Sequence, residues 1–500
     1  MTPSLKTECI SNQPETPLTF GRLDGRNVVA EFNGGHISSE GGLLLIRQVD
    51  QPYGLSEQIA ACFTDHRDPT RVEHSIQELV AQRLYGLVQG YEDVNDHDIL
   101  RDDVLLGVAV GKLSRRRGEG SPLAGKSTLN RLEKSYRRDE SIAVNGRYVK
   151  TEVDPRQLEQ VFLTMFFAQH PTPPKQIVLD LDVTDDETHG SQEGAEFNGY
   201  YQSTCYTPLY LFCGRDLLVA RLRPANVDPA AGALEELQRV IAAIQTRWPP
   251  VKIWVRGDSA YSRDDIMTWC EATPNVDYVL AQGSNAVLVR RSRRWSEPAL
   301  TDYAQRRQQA KDTLLAEVGD EPDPKDLDRL VPDTVYYGCF TYQTEDSWSR
   351  PRRVICKVTA GANGVRHHFV VTSLTAQQMS AQRLHREGYC PRGEMENRLK
   401  EQQLDLFSDR TSNHYFDDNQ LRLWFSAFAY GLLNALRQQA LQQTELANAR
   451  VGTIRTHLLK LGTLIRVSVR RIHLAFHSAF PRRHLFHLAY QRLLGVANSS

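Results

Sequence analysis

The chain has 500 residues, 40% of them apolar and 24% charged, with a formal net charge of −1. That composition supports about two to four packed domains, excludes a disordered chain, and by its near-zero balance names no partner. Apolar stretches such as Leu421 to Leu433 carry polar breaks and are too short for a bilayer span, and Lys6, Glu8 and Asn12 stand where a signal sequence must be apolar, so a cytoplasmic protein with no membrane contact is expected. The eight cysteines form no Cys-x-x-Cys pair and the histidines no finger spacing, which argues against a zinc ribbon or redox site.

Residues 1–165 read as a mainly helical N-terminal DNA-binding region. Val28 to Phe32 followed by Asn33-Gly34-Gly35 predicts a small hairpin. Ile76, Leu79, Val80, Leu84 and Leu87 recur at helical spacing. Gly120 to Ser127 fits the phosphate-loop pattern Gly-x4-Gly-Lys-Ser. However, no buried strand precedes it and Pro122 removes one of the N–H groups that would wrap a phosphate. Ser127 reads instead as the cap of a helix with Leu129, Leu132 and Tyr136 on one face. A nucleotide-using protein therefore stands only as a lesser alternative.

Residues 166–283 change pattern. Strands are predicted at Ile177 to Leu181, Gly199 to Phe212, Leu217 to Leu222, Val251 to Val255 and Val276 to Ala281. Helices are predicted at Pro229 to Trp248 and Arg263 to Glu271. Tight turns make the first three strands antiparallel, and crossover helices make the later ones parallel. The reading is an α/β fold, a ribonuclease H-like catalytic core. Residues 284–375 read as an inserted β-rich subdomain, with Arg306 to Asp328 helical or loose. Residues 376–450 supply closing helices near Gly393 to Gln403 and Asn419 to Gln442. Residues 451–500 hold eight Lys/Arg, five His and no Asp or Glu, a basic segment suited to phosphate contact. Its interleaved Ile472, Leu474, Phe476, Phe480 and Phe486 fit a folding or interface role equally.

Three acids sit where chemistry is built. Asp180 and Asp182 share a face of an apolar strand, and either serves as the first acid. Asp258 follows a second strand and could simply cap the next helix. Tyr389, Arg392, Glu396, Lys400 and Gln403 are separated by three, four, four and three residues, one stripe of a helix. Carboxylates from two strands and a helix suit two divalent ions, Mg²⁺ or Mn²⁺, acting on a phosphodiester. Arg392 and Lys400 would then meet phosphate oxygens.

These residues resemble the DDE transposases of bacterial insertion sequences, in the group with a Tyr-x2-Arg-x3-Glu-x6-Lys signature and a β insertion before the final Glu. Tyr389, Arg392 and Glu396 match that spacing, Asp182-Val183-Thr184 matches the first acid and Asp258 the second. The signature's Lys falls on Gln403, with Lys400 one turn earlier as its alternative. The resemblance implies Asp182, Asp258 and Glu396 as catalytic metal ligands, with Asp180 as an additional ligand. It also implies binding of terminal inverted repeats, strand cleavage, joining of the 3′-hydroxyl to target DNA, and a homodimer on DNA, in a bacterial cytoplasm and on the nucleoid when DNA-bound. Tyr389, Arg392, Lys400, Arg470 and Arg471 are the expected DNA contacts. Trp295 and Trp348 are candidates for stacking a flipped base, each with the plainer alternative of a packing tryptophan. A catalytically inactive or domesticated DNA-binding protein is the other reading.

Overall fold

The computed structural model describes residues 17–116, 120–135, 150–319 and 321–497. The fold is mixed α/β around one eight-stranded sheet. No helix among the described residues is long and apolar enough to cross a membrane.

The described chain opens with a hairpin of β1 (Leu18–Leu23) and β2 (Arg26–Ala30). It turns at Asp24-Gly25, both at positive φ, the pairing that two-residue hairpin turns require. The predicted hairpin at Asn33-Gly34-Gly35 is corrected: that turn leads into β3 (His36–Ser38), whose partner lies far along the chain. Next come α1 (Leu43–Tyr53), β4 (Phe63–Asp65) and α2 (Ile76–Gln89). A reciprocal capping box between Ser75 and Glu78 starts α2. Then come α3 (Lys126–Glu133), β5 (Thr151–Val153) and α4 (Pro155–Gln169). Gly125, not Ser127, occupies the cap of α3, and the Asp98 carboxylate accepts the Lys126 N–H there at 3.0 Å. An anion of the chain's own thus sits where the phosphate-loop reading would put a nucleotide. Tyr136 lies outside the described residues.

The sheet begins with β6 (Gln176–Val183). A side sheet of β7 (Asp186–Glu187), β8 (Glu196–Asn198) and β9 (Ser203–Tyr206) follows. The single strand expected from Gly199 to Phe212 is therefore two. Pro208, which has no N–H to give a ladder, separates β9 from β10 (Leu209–Cys213). After β10 come β11 (Asp216–Arg221), α5 (Ala233–Arg247), β12 (Lys252–Gly257), α6 (Asp264–Ala272) and β13 (Val276–Gln282). As expected, β6, β10 and β11 pair antiparallel, whereas β12 pairs parallel with both β6 and β13.

Residues 286–318 form one long helix, α7 (Ala286–Val318), started by the Asn285 side chain accepting the Leu288 N–H. The strands β14 (Thr334–Tyr342), β15 (Arg352–Gly361) and β16 (Gly364–Thr372) do not make a subdomain of their own. β16 pairs with β13, giving the order β11-β10-β6-β12-β13-β16-β15-β14. A helical run from Ala381 to Asp405 contains α8 (Gly393–Lys400) between two π-helical stretches, Leu384–Tyr389 and Glu401–Asp405. The chain ends with α9 (Phe416–Ala440), β17 (Thr463–Val467), β18 (Ile472–Phe476) and α10 (Arg483–Ala497).

Alternating side chains supply opposite cores. Leu211 of β10 joins Leu179 and Leu181 under α5, α6 and α7, while Tyr210 and Phe212 point to α9. The N-terminal helices share this second core: Leu79, Val80 and Leu84 of α2 cluster with Phe425, Phe428 and Leu432 of α9. The expected N-terminal domain is therefore part of the helical layer on the sheet. β3 pairs with β17, tying residues 36–38 to residues 463–465.

Candidate active site

Ile177, Leu179 and Leu181 of β6 face the core beneath α5, so the alternate residues Asp180 and Asp182 face the other side of the sheet. Residues 384–389 cover that side, through Leu384 and Tyr389. β6 and β12 are parallel and adjacent, with Arg256 directly opposite Asp180. Two residues further along each chain stand Asp182 and Asp258, at the carboxyl ends of neighbouring strands, where open α/β sheets place their sites.

The two β6 aspartates have different surroundings. Both are buried. Arg256 holds both Asp180 oxygens, with Nη2 2.7 Å from Oδ2, and donates through Nη1 to the Gly388 carbonyl at 2.8 Å. Arg256, which the sequence reading passed over, is a staple between two strands and the helical run. Its signal was its place two residues before Asp258, in phase with Asp180 on the neighbouring strand. Asp182 instead meets Arg392 Nη2 at 2.8 Å and accepts its neighbour Val183's N–H at 3.0 Å. Burial pushes the Asp182 carboxyl up to about 6; Arg392 and the Val183 N–H oppose this, and Asp258 and Glu396 add like charge. The three acids are thus electrostatic neighbours. Asp258 is half-buried and accepts the Ala260 N–H at 2.9 Å, so it also does the capping considered for it. Glu396 lies exposed on α8.

The signature residues divide. Tyr389 is half-buried beside the acids, its ring 4.9 Å from that of His368, and Asp258 and Asp182 both act on its hydroxyl. Gln403 turns to the loop after β6, donating to Thr184 Oγ1 at 3.0 Å and the Asp185 carbonyl at 2.8 Å. Lys400 is exposed. Tyr261 is a second residue not foreseen: its hydroxyl is buried without a hydrogen-bond partner among the described residues, and Asp182 and Asp258 act on it. Beyond Tyr389 opens a cleft of about 580 Å³, lined by Lys357, Arg366, His368, His385, Arg392 and Glu396 among others.

Both tryptophans pack against neighbouring groups. Trp348 is buried against Tyr342, with Arg352 over its ring, which corrects its candidacy. Trp295 is half-buried on α7, with the Arg294 guanidinium 3.9 Å over its ring. A Cβ on Gly338 would fall 2.0 Å from that ring, so the tryptophan packs on the β14 backbone. Arg470 and Arg471 lie at an exposed turn between β17 and β18, in a three-stranded sheet separate from the eight-stranded one that carries the acids.

Among the described residues no group of three or more His, Cys, Asp or Glu is arranged to enclose a metal ion. The Asp182 carboxylate is turned onto Arg392 instead. The donor chemistry nevertheless fits a hard divalent cation: the converging groups are carboxylates, and the buried one, disfavoured as an anion, is the kind that a cation stabilises.

A family model described as Transposase DDE domain group 1 matches residues 20–498. No curated protein matches the chain. Among solved structures, a chain from a cryo-EM structure of piggyBac transposase synaptic complex with hairpin DNA is similar at 8% identity and a TM-score of 0.40, over 91% of this chain and 85% of that one.

Proposed function

The chain belongs to the transposase DDE domain group 1 family, and we propose that it is the DNA transposase of a bacterial insertion sequence, working as a homodimer on terminal inverted repeats. Its catalytic acids are Asp182, Asp258 and Glu396, on a ribonuclease H-like sheet. The observation that carries this reading is the meeting of two aspartates from the ends of adjacent parallel strands with a glutamate from the covering helix, where burial first and the like charges of Asp258 and Glu396 after it disfavour the Asp182 anion.

Asp182, Asp258 and Glu396 would hold divalent Mg²⁺ or Mn²⁺, two per site. When bound, such cations supply activation of the attacking oxygen and neutralisation of the leaving oxygen at a phosphodiester. Asp182 is preferred to Asp180 as first acid because Arg256 already occupies both Asp180 oxygens. Arg256 then positions: it fixes the end of β6 against the Gly388 carbonyl and so sets where Arg392 and Glu396 stand. Arg392 is the cation paired with the first acid, free to exchange its Asp182 contact for a DNA phosphate, which a guanidinium grips in a bidentate fork. Tyr389 orients the same phosphate, and Lys400 adds a point charge one turn beyond Glu396. Gln403, in the signature's Lys position, holds the strand end that carries Asp182.

The test is cleavage of a labelled duplex carrying the element's end, with Mg²⁺, by the wild type and by Asp258→Ala. Cleavage by the wild type, lost by about two orders of magnitude or more in a variant that still binds the duplex, is expected when an essential acid is removed. Binding by both proteins with cleavage by neither would make the chain a DNA-binding protein instead.

A further inference from the structure

The sheet formed by β3, β17 and β18 ends in a projection. β3 pairs with only the first half of β17, at Thr463, Leu464 and Ile465. Beyond Ile465, β17 and β18 continue as a bare two-stranded ribbon, pairing Arg466 with His473 and Val467 with Ile472. Every residue from 466 to 473 is exposed, and Val469 at the tip is as open as in an extended peptide, at 104%. The tip is nevertheless fixed. Ser468 gives its N–H to the Arg471 carbonyl at 2.8 Å and its hydroxyl to the same carbonyl at 2.9 Å, and the Arg471 N–H returns to Ser468 Oγ at 3.1 Å.

The ribbon's chemistry is one-sided. Arg466, Arg470 and Arg471 carry no side-chain hydrogen bond or ion pair among the described residues, unlike the many arginines of this chain that have a carboxylate in reach. No Asp or Glu occurs anywhere from 451 to 500. Arg466 and His473 share one face of the ribbon, while Val467 and Ile472 share the other.

The dimensions decide what such a ribbon fits. From Ile465 to the tip is four residues, roughly 13 Å at about 3.3 Å per residue. The major groove of B-DNA is about 8.5 Å deep and about 12 Å wide and admits a two-stranded ribbon. The tip therefore reaches the groove floor while β3 and the body of the sheet stay outside the phosphates. We infer that the β17–β18 ribbon enters the major groove of duplex DNA and reads its sequence, with Arg470 and Arg471 on base edges, Val469 against a thymine methyl, and Arg466 with His473 on the flanking phosphates. The inference rests on the transposase reading for the identity of that DNA, an element end. It adds where the sequence is read, on a different sheet from the acids that cut.

The test uses the full chain and a library of duplexes with a randomised central segment. Wild type is expected to enrich a consensus. The variant Arg470→Lys/Arg471→Lys keeps the charge and removes the bidentate fork. It is expected to hold random duplex as the wild type does, yet to prefer the consensus about tenfold less or worse. Val469→Ser is expected to lose discrimination at a thymine position alone. All three positions are exposed, so melting temperature should not move, and circular dichroism checks this. A consensus and preference unchanged in both variants, or no consensus from the wild type, overturns the inference. Cleavage by the wild type alongside unchanged variants sinks the ribbon alone. A consensus lost in the variants, with no cleavage of it under Mg²⁺, sinks the transposase reading and leaves the ribbon standing.

Discussion

Arg256 and Asp180 sit opposite one another on parallel strands, both buried, and their pairing occupies both Asp180 oxygens. Such pairs contribute little net stability when intact, because desolvation offsets attraction, but breaking one strands a charge. Arg256→Ala is therefore expected to lower unfolding free energy by about 3–5 kcal/mol in urea titration. The double variant Asp180→Ala/Arg256→Met, which removes both charges, should recover most of it. A loss below about 1 kcal/mol in the single variant would show that Asp180 is not held by Arg256 alone. The residue scale was partly legible. Period-two alternation put Asp180 and Asp182 on one face, but which of them an arginine would claim depended on the register of β12, which no local pattern carries.

Histidine burial tests the helices around α2. His97 is fully buried; Gln82 Nε2 donates to its Nδ1 at 3.0 Å, and Gly86 of α2 leaves room for the ring, where a Cβ would lie 2.9 Å from it. Burial pushes its pKa from 6.5 down to about 3, with Arg83 adding to the fall. A depressed histidine pKa means the unfolded chain binds the proton more readily. The stability due to neutral His97 is thus complete above about pH 6.5 and declines as pH falls from there towards 3, by up to about 1.4 kcal/mol per pH unit. His97→Gln should flatten the fall in melting temperature between pH 6.5 and pH 4, measured by scanning calorimetry, and an unchanged slope would remove His97 from the account. At this scale the helical run 381–405 shows the limit of periodicity. Spacing put Tyr389, Arg392, Glu396, Lys400 and Gln403 on one regular stripe. The π turns on both sides of α8 alter the phase, so Gln403 meets the β6 loop while Lys400 faces solvent.

The whole molecule is closed by its ends. Gly41 and Gly42 donate to the Leu461 and Leu459 carbonyls at 3.0 Å each, beside the β3–β17 pairing. A Cβ on Gly42 would lie 2.3 Å from the Leu459 Cα, a backbone atom that cannot swing aside. Gly42→Ala is accordingly expected to cost about 1–3 kcal/mol of unfolding free energy, as overpacking does, with the transition still cooperative because both ends share one core. Unchanged stability would show that the close approach is not kept in solution.

What the chain determines by itself is local: strands written in apolar runs and alternation, helices in three- and four-residue spacing, acids at strand ends, and a C-terminal segment without a negative charge. Those features were enough for the order β6, β10, β11, α5, β12, α6, β13. Tertiary structure alone decided that β14 to β16 extend the main sheet rather than stand apart, that the N-terminal helices share α9's core, that Trp348 is covered, and that Asp182 rather than Asp180 is left to Arg392. The reason is common to all four. Each depends on which segment pairs or packs with which, a choice made by register and shape complementarity between surfaces, whereas periodicity records only which face of each element must leave water.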